Sequence, residues 1–347
     1  MDKIKNKNII YFDYLRILAT IAVITIHIAA QNWYTTPINS QNWLILTIYD
    51  SITRWAVPIF TMISGSIFLT KNIDNKTLYK KYILRIIIIF ILWAIFYSIQ
   101  NTNLYHNNQE YFINILFKGN YHMWYLLMIV GLYMITPILK HIIKSKTITK
   151  YFLTLSLIFT FIIPTIIKIS SIYLPKVYDI LININQKLNL NIVLGYSSYY
   201  ILGYLLTNKN FNKKQRKIIY ILGIISTIII ILLTSLTSNY QSKPIELFYE
   251  PLTFFVLISS ISTFIFAKYN LNIKKGSNII NKLSKLTLGI YLIHPLIISI
   301  LEVKFNLNTL SFNPLLSVPI YSILILIIST IISTLIKPIP IINKYLL

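Results

Sequence analysis

Long uncharged apolar blocks constrain this chain more than any other feature. Residues 218–236 and 315–336 contain no charged side chain, and each block is close to the roughly 20 residues that a helix needs to cross a bilayer. Backbone groups cannot hydrogen-bond to lipid, so a membrane segment is either a helix or a strand of a closed barrel. Barrel strands alternate apolar and polar residues, and the blocks show no such alternation. They predict an all-α, polytopic transmembrane bundle.

The composition excludes several classes of protein. Of 347 residues, 56% are hydrophobic and 12% are charged, whereas a soluble domain carries about a quarter charged residues. The formal net charge of +23 would favour nucleic acid as the partner of a soluble protein. Here the lysines stand between apolar blocks, so we expect no nucleic-acid partner. The chain has no cysteine, which excludes disulfides and thiolate chemistry.

The alternation of apolar blocks with basic clusters predicts about ten transmembrane helices. They form a single integral-membrane domain over residues 1–347, with no separate soluble domain. The predicted spans lie near 10–30, 44–69, 82–100, 121–139, 151–169, 191–207, 218–236, 250–267, 286–303 and 315–336. Of the 32 Lys and Arg residues, 24 fall on the side of the two termini and six on the opposite side. Because basic residues concentrate on the cytoplasmic side, we predict that both termini are cytoplasmic.

The first apolar block follows Lys3, Lys5 and Lys7, as the core of a signal peptide would. It contains Arg16 and His27, and no small-x-small cleavage pattern follows it. We interpret it as a retained first transmembrane helix.

Ionisable side chains inside this first span mark a candidate site, because such groups are costly in a membrane. They are Asp13, Arg16 and His27. Arg16 and His27 lie about 20° beyond three full helical turns from each other, so they share one face at roughly 16 Å along the axis. A guanidinium at the cytoplasmic end can hold a phosphate or carboxylate, and a deeper imidazole can act as general base for a hydroxyl. Alternatively, Arg16 snorkels to the interface and His27 bonds a neighbouring helix.

The second span carries a predicted ion pair, Asp50 and Arg54, with the acid four residues before the base. This is the favourable order in a helix. Pro58 removes a backbone hydrogen bond and kinks the helix, and Gly65 allows close packing. A kinked helix with a buried arginine is suited to a cavity wall; a purely structural ion pair is the alternative.

Spans four and nine add two histidines. The sequence YHMWYL at 121–126 opens span four, and an interfacial aromatic belt explains Trp124 better than it explains His122. Span nine contains GIYLIHP at 289–295. There His294 precedes a proline that frees backbone groups within the membrane.

Two glutamates, Glu246 and Glu250, stand at the start of span eight. Either could orient a histidine, or both could belong to a solvated helix start.

Taken in order, these motifs resemble the acyltransferase-3 family of bacterial integral-membrane proteins, whose signature is an arginine, ten residues and a histidine. The resemblance is carried by FDYLR at 12–16 with His27, RWAVPIF at 54–60 with Ser64 and Gly65, HMWYL at 122–126, and GIYLIHP at 289–295. It covers nearly the whole chain and is closest to the branch that O-acetylates cell-surface glycans.

The resemblance implies a multi-pass O-acyltransferase of the bacterial cytoplasmic membrane. The donor would be cytoplasmic acetyl-CoA or another acyl-CoA, and the acceptor a hydroxyl of a cell-surface glycan or its lipid-linked precursor. Arg16 and His27 would be the catalytic pair, with Arg16 also holding the coenzyme. Acceptor-side and supporting residues would be Asp13, Asp50, Arg54, Ser64, His122, Trp124, Glu250, Tyr291 and His294.

The sequence departs from the family at the start of span three, where members often carry paired arginines that contact the coenzyme. Here KKYILR at 80–85 offers Lys80, Lys81 and Arg85, and a lysine binds phosphate as a point charge without the bidentate fork. Some members carry a fused extracytoplasmic hydrolase-like domain; we expect this chain to complete the transfer alone or with a separate partner. No metal is expected, and homo-oligomerisation is left open.

Two other classes of function stay open at this level. A transporter or exporter of a glycan or lipid intermediate would also use buried ionisable groups along its path, and a sensor or scaffold would show neither activity. Within the transferase hypothesis, His27 could deprotonate the acceptor directly or carry the acyl group itself. Release of free CoA thiol distinguishes a transferase from a transporter.

Overall fold

The structure of this multi-pass membrane protein, a computed structural model, describes residues 9–105, 109–188, 195–272 and 277–337. The regular secondary structure of the described residues is helical, as the apolar blocks predict. Eight helical segments among them are long and apolar enough to cross a membrane. They are Ile10–Ala30, Asn75–Leu104, Trp124–Lys144, Lys146–Tyr173, Lys213–Gln241, Leu247–Asn270, Thr287–Phe305 and Pro314–Ile336. The basic residues Lys3, Lys5 and Lys7 and the start of the sixth predicted span, at 191–194, lie outside the described ranges.

The α-helices follow one another with short connections. They are α1 (Ile10–Ala30), α2 (Gln41–Thr53), α3 (Ala56–Phe68), α4 (Asn75–Thr77), α5 (Leu84–Tyr105), α6 (Gln109–Lys118), α7 (Trp124–Lys144), α8 (Lys146–Ser156), α9 (Ile163–Tyr173), α10 (Pro175–Leu188), α11 (Ser197–Asn208), α12 (Lys213–Gln241), α13 (Phe254–Asn270), α14 (Ser277–Ser284), α15 (Thr287–Phe305) and α16 (Pro314–Ile336). π-Helical segments join α4 to α5 (Leu78–Ile83) and α8 to α9 (Leu157–Ile162), and a 3-10 turn (Leu247–Tyr249) precedes α13.

The second predicted span, 44–69, is two helices and not one. Both α2 and α3 have 13 residues, and the chain between them turns at Arg54 and Trp55. An α-helix would pair the carbonyl of residue 54 with the N–H of residue 58, and Pro58 has no N–H to give. The expected kink is therefore a complete interruption, which sets Arg54 at the end of a helix.

The sixth predicted span, 191–207, is represented by the short helix α11, which packs closely on α3. A Cβ on Gly65 would overlap the backbone carbonyl of Tyr200, and a Cβ on Gly203 would overlap that of Met62. Small residues at facing positions let two membrane helices approach backbone to backbone. The two short helices thus form one tightly packed pair.

Helix α1 lies at the centre of the bundle. It contacts α2, α3, α13, α14, α15 and α16, and it is the most buried of the eight candidate spans. Helices from both the N-terminal and the C-terminal parts of the chain therefore pack around the span that carries Arg16 and His27.

Candidate active site

A cavity of about 270 Å³ runs along one face of α1. This helix contributes Arg16, Val23, Ile26 and His27 to it, a spacing that follows the helical period. The other lining residues are Arg54, Val57, Phe60, His122, Trp124, Tyr125, Tyr249, Pro251, Thr287, Leu288 and Tyr291. Arg16 and His27, which the sequence places on a common face, therefore line one cavity.

At the Arg16 end, a buried carboxylate holds the guanidinium in place. Asp13 Oδ1 accepts a hydrogen bond from Arg16 Nη1 at 2.8 Å and another from Ser284 Oγ at 2.7 Å. Asp13 Oδ2 accepts from Asn281 Nδ2 at 3.1 Å. Asp13 thus lies beside Arg16, toward the opposite end of α1 from His27. Among the described residues, the bonds that Arg16 makes use Nη1, so its other N–H donors can serve an anion.

Three histidines meet at the other end of the cavity. The rings of His27 and His294 are stacked with centroids 5.2 Å apart, and the ring of His122 meets that of His294 edge-on at 5.6 Å. His122 and His294 are fully buried, with relative exposures of 2% and 0%. No group of three His, Cys, Asp or Glu side chains in the described part of the chain is placed to hold a metal ion.

The proline after His294 fixes the orientation of its ring. A helix pairs the carbonyl of residue 291 with the N–H of residue 295, and Pro295 leaves that carbonyl without its usual donor. His294 Nδ1 lies 2.7 Å from the Tyr291 carbonyl oxygen, which can only accept, so Nδ1 donates. In a neutral imidazole the lone pair is then on Nε2, and this atom has no partner among the described residues.

His122 is held by its backbone and by aromatic rings. Neither of its ring nitrogens has a partner in the described ranges. The Tyr291 hydroxyl donates to the His122 carbonyl oxygen, and the rings of Tyr97 and Tyr291 lie 5.3 and 5.2 Å from the imidazole. The imidazole is fixed, and its hydrogen-bonding capacity is unused.

The predicted pair of Asp50 and Arg54 is present beside the histidines. Arg54 Nη2 donates to Asp50 Oδ2, and Asp50 has 1% of its side chain exposed. The Arg54 guanidinium also lies over the ring of Tyr249, with Cζ 4.0 Å from the centroid, a cation–π geometry. Arg54 therefore lines the cavity with its guanidinium held by Asp50 and Tyr249.

Two further predicted residues lie at or near this cavity. Trp124 lines it. Ser64 interacts with the hydroxyls of Tyr125 and Tyr133, and only the first of these tyrosines is a lining residue.

The structure does not bring the remaining predicted residues to the cavity. Lys80, Lys81 and Arg85 are exposed and belong to the π-helical segment Leu78–Ile83 and the first turn of α5. Glu250 pairs with Lys168, with Oε1 2.5 Å from Nζ.

The proposed glutamate–histidine contact is not formed. The other candidate, Glu246, accepts a hydrogen bond from the Tyr34 hydroxyl, and Glu250 is held by Lys168. Each glutamate therefore has a partner other than a histidine.

The sequence did not reveal three residues that contact the site residues but are distant from them in the chain. Asn281 and Ser284 bind Asp13 from α14, and Tyr249 packs under Arg54. Asn281 and Ser284 are spaced i, i+3, which puts both on one helix face, but nothing local pairs them with Asp13. Tyr249 directly precedes Glu250-Pro251, and that proximity was the one available signal.

The family model of the acyltransferase-3 family, described as an acyltransferase domain, matches residues 9–334. No curated protein and no solved structure matches this chain.

Proposed function

The chain belongs to the acyltransferase-3 family of membrane acyltransferases, and from this premise we propose that it is an O-acyltransferase. It transfers an acetyl or related acyl group from cytoplasmic acyl-CoA to a hydroxyl of a cell-surface glycan or its lipid-linked precursor. One observation carries the proposal: Arg16 and His27 line a single cavity that also contains Arg54 and His122.

The Arg16 end of this cavity is proposed as the coenzyme end. Asp13 fixes one face of the guanidinium, and the remaining donors suit a phosphate oxygen. Arg16 and His27 are separated by roughly 16 Å along α1, a distance that an extended pantetheine arm can bridge. Lys80, Lys81 and Arg85 remain predicted contacts for the part of the coenzyme outside the cavity.

The orientation of the protein follows from the same assignment. Arg16 lies in the second turn of α1, and the basic residues of the chain concentrate on the side of its N-terminus. By the positive-inside rule the Arg16 end faces the cytoplasm of a bacterial cell, where acyl-CoA is available. His27 then lies toward the outer face, where the glycan arrives.

The reaction is a proton-coupled acyl transfer. His27 takes the proton of the acceptor hydroxyl, and the oxygen attacks the thioester carbonyl. The tetrahedral intermediate collapses by breaking the C–S bond, and the imidazolium returns the proton to the departing CoA thiolate. Arg54 supplies fixed positive charge in the same cavity, where it can stabilise negative charge on the intermediate. In the alternative route His27 first takes the acyl group and then passes it to the hydroxyl.

The test uses the full chain reconstituted in lipid vesicles with acetyl-CoA. The host's cell-envelope glycan, stripped of O-acetyl groups by mild base, serves as acceptor. We expect stoichiometric release of CoA thiol and acetylation of the glycan, and loss of both by a factor of about 10²–10⁴ in His27→Ala, the usual contribution of a general base. His141→Ala is the matched control, because His141 is exposed and absent from the cavity lining. Full transfer by His27→Ala, or glycan movement without consumption of acetyl-CoA, would contradict the proposal.

A further inference from the structure

A second cavity, of about 410 Å³, lies directly beside the first. The two share a wall made of three consecutive residues: Pro251 lines the first cavity, and Glu250 and Leu252 line the second. Tyr249, two residues before Pro251, packs against the Arg54 guanidinium, so we place this wall near Arg54. A molecule in the second cavity would therefore be next to the reacting groups.

Helix α10 closes the second cavity from outside. Tyr178, Ile182 and Asn185 line it and share one face of the helix. On another face, roughly 120° round the axis, α10 exposes an apolar stripe. The stripe consists of Val177, Ile180, Ile184 and Leu188. An apolar stripe of this kind is typical of a helix lying in the membrane interface, which is the position we infer for α10.

The second cavity is lined by charged, neutral polar and apolar side chains. Lys168 and Glu250 form an ion pair within it, so their charges offset each other. The Tyr178 hydroxyl and the Asn185 amide add groups that both donate and accept hydrogen bonds. The Ser171 hydroxyl donates to the Lys168 carbonyl oxygen and can still accept. Apolar surface comes from Pro164, Ile167, Ile182, Leu247 and Leu252.

One polar atom in the lining of the second cavity lacks a hydrogen-bond partner among the described residues. Thr160 Oγ1 is buried and without a hydrogen bond among the described residues, and the residue is 2% exposed. Thr160 belongs to the π-helical segment Leu157–Ile162, and such segments occur frequently at functional sites. The lining of the second cavity therefore includes a hydroxyl oxygen, Thr160 Oγ1, that makes no hydrogen bond among the described residues.

We propose that the second cavity binds the sugar units of the glycan acceptor that flank the reacting hydroxyl. This inference rests on the proposed function and adds a place for the acceptor. The reacting sugar would extend past the wall at residues 250–252 into the first cavity, and the rest of the oligosaccharide would lie between α9 and α10.

The chemistry of the lining selects a sugar over the other occupants of a membrane surface. A phosphate or carboxylate would need net positive charge, and Glu250 cancels that of Lys168. An acyl chain would cover the ion pair and the amide of Asn185 with apolar groups, and removing polar groups from water without new hydrogen bonds is costly. A neutral pyranose offers hydroxyls on its edge and C–H groups on its faces. It therefore matches both the polar and the apolar side chains of the lining. The volume of about 410 Å³ is also within the roughly 300–1,000 Å³ of small-molecule sites.

The experiment exploits the absence of cysteine from the chain. Ser171→Cys places a single thiol in the second cavity, and a bulky maleimide then fills the space. Ser311→Cys is the matched control, because Ser311 is an exposed serine that lines neither cavity. Each variant is compared with itself before and after labelling, in vesicles, with acetyl-CoA and the de-O-acetylated cell-envelope glycan.

Labelling of Ser171→Cys is expected to lower kcat/KM for the glycan at least tenfold while leaving KM for acetyl-CoA unchanged. The glycan should also slow labelling of this thiol, and neither effect should occur in Ser311→Cys. If labelled Ser171→Cys acetylates the glycan as well as the unlabelled protein, and the glycan gives no protection, the second cavity is not an acceptor site. Failure of the proposed function looks different, because the unmodified chain would then release no CoA thiol, and that result overturns both proposals.

Discussion

The imidazole of His27 is stacked on that of His294, with an angle of 25° between the ring planes. His294 is itself anchored through Nδ1 to the Tyr291 carbonyl. The ring of Tyr121 also meets that of His27 edge-on, with centroids 5.0 Å apart, so the anchored imidazole is one of two rings that orient His27. We therefore interpret His294 as a positioning residue for the proposed base.

Replacement of His294 tests this orientation. His294→Ala removes the supporting ring, and a misplaced general base can reduce kcat roughly 100-fold. His294→Phe keeps an aromatic surface and is expected to recover most of that loss, measured as release of CoA thiol. A phenylalanine variant no more active than the alanine variant would show that a ring nitrogen is required instead.

Pro295→Ala is expected to separate stability from activity. The new N–H can donate to the Tyr291 carbonyl and compete with His294 Nδ1, so kcat should fall. Removing a proline from a helix interior should also stabilise the helix, by up to about 3 kcal/mol, and raise Tm. Pro319→Ala in α16, also inside a helix, should raise Tm and leave kcat unchanged. Equal kinetics for the two variants would contradict the role of Pro295.

The pair of Asp50 and Arg54 should behave as a coupled unit in unfolding. Arg54→Gln leaves a buried carboxylate without its partner, which costs about 3–5 kcal/mol. Adding Asp50→Asn removes that charge and should restore much of the lost stability. Thermal unfolding of the two single variants and the double variant in detergent gives the coupling energy; additive effects would argue against a buried pair.

Close packing of α3 on α11 predicts strong sensitivity to a single methyl group. Gly65→Ala and Gly203→Ala each force overlap with a backbone carbonyl and should destabilise the fold by roughly 1–3 kcal/mol. Gly131→Ala in α7 is the control, since no atom lies within 4 Å of the added Cβ. That change should be neutral or stabilising by roughly 0.5–1 kcal/mol. Similar melting temperatures for all three variants would contradict the close approach.

Asp13→Asn should weaken donor binding selectively. Asp13 sets the position of Arg16, so loss of its charge is expected to raise KM for acetyl-CoA several-fold and leave KM for the glycan unchanged. Asp74→Asn is the control: Asp74 caps α4 on the surface, and asparagine caps a helix equally well. A shift in the glycan KM alone would place Asp13 on the acceptor side.

Local patterns predicted the membrane helices and the arrangement within single helices. Apolar length located eight of the ten predicted spans as candidate membrane helices among the described residues. Helical periodicity put Arg16 and His27 on one face and Asp50 beside Arg54. These relationships depend only on residues one to three turns apart, where helix geometry fixes the distances. They are the parts of the site that one helix can specify alone.

Relationships between helices could not be obtained from the same patterns. The interruption before Pro58 was expected as a kink, because a missing N–H does not say how far the helix bends. The bonds from Asn281 and Ser284 to Asp13 depend on how α14 packs against α1. No period in the sequence encodes that contact.

The hydrogen bonds from Asn281 and Ser284 of α14 to Asp13 have a consequence for biosynthesis. The first helix leaves the ribosome long before Asn281 and Ser284 are translated, so the arginine beside Asp13 lacks its full support during most of synthesis. Contacts between segments so distant in the chain form late and slow the folding process. A polypeptide that stops short of α14 can enter the bilayer through the translocon, yet the proposed coenzyme end of its cavity stays unassembled.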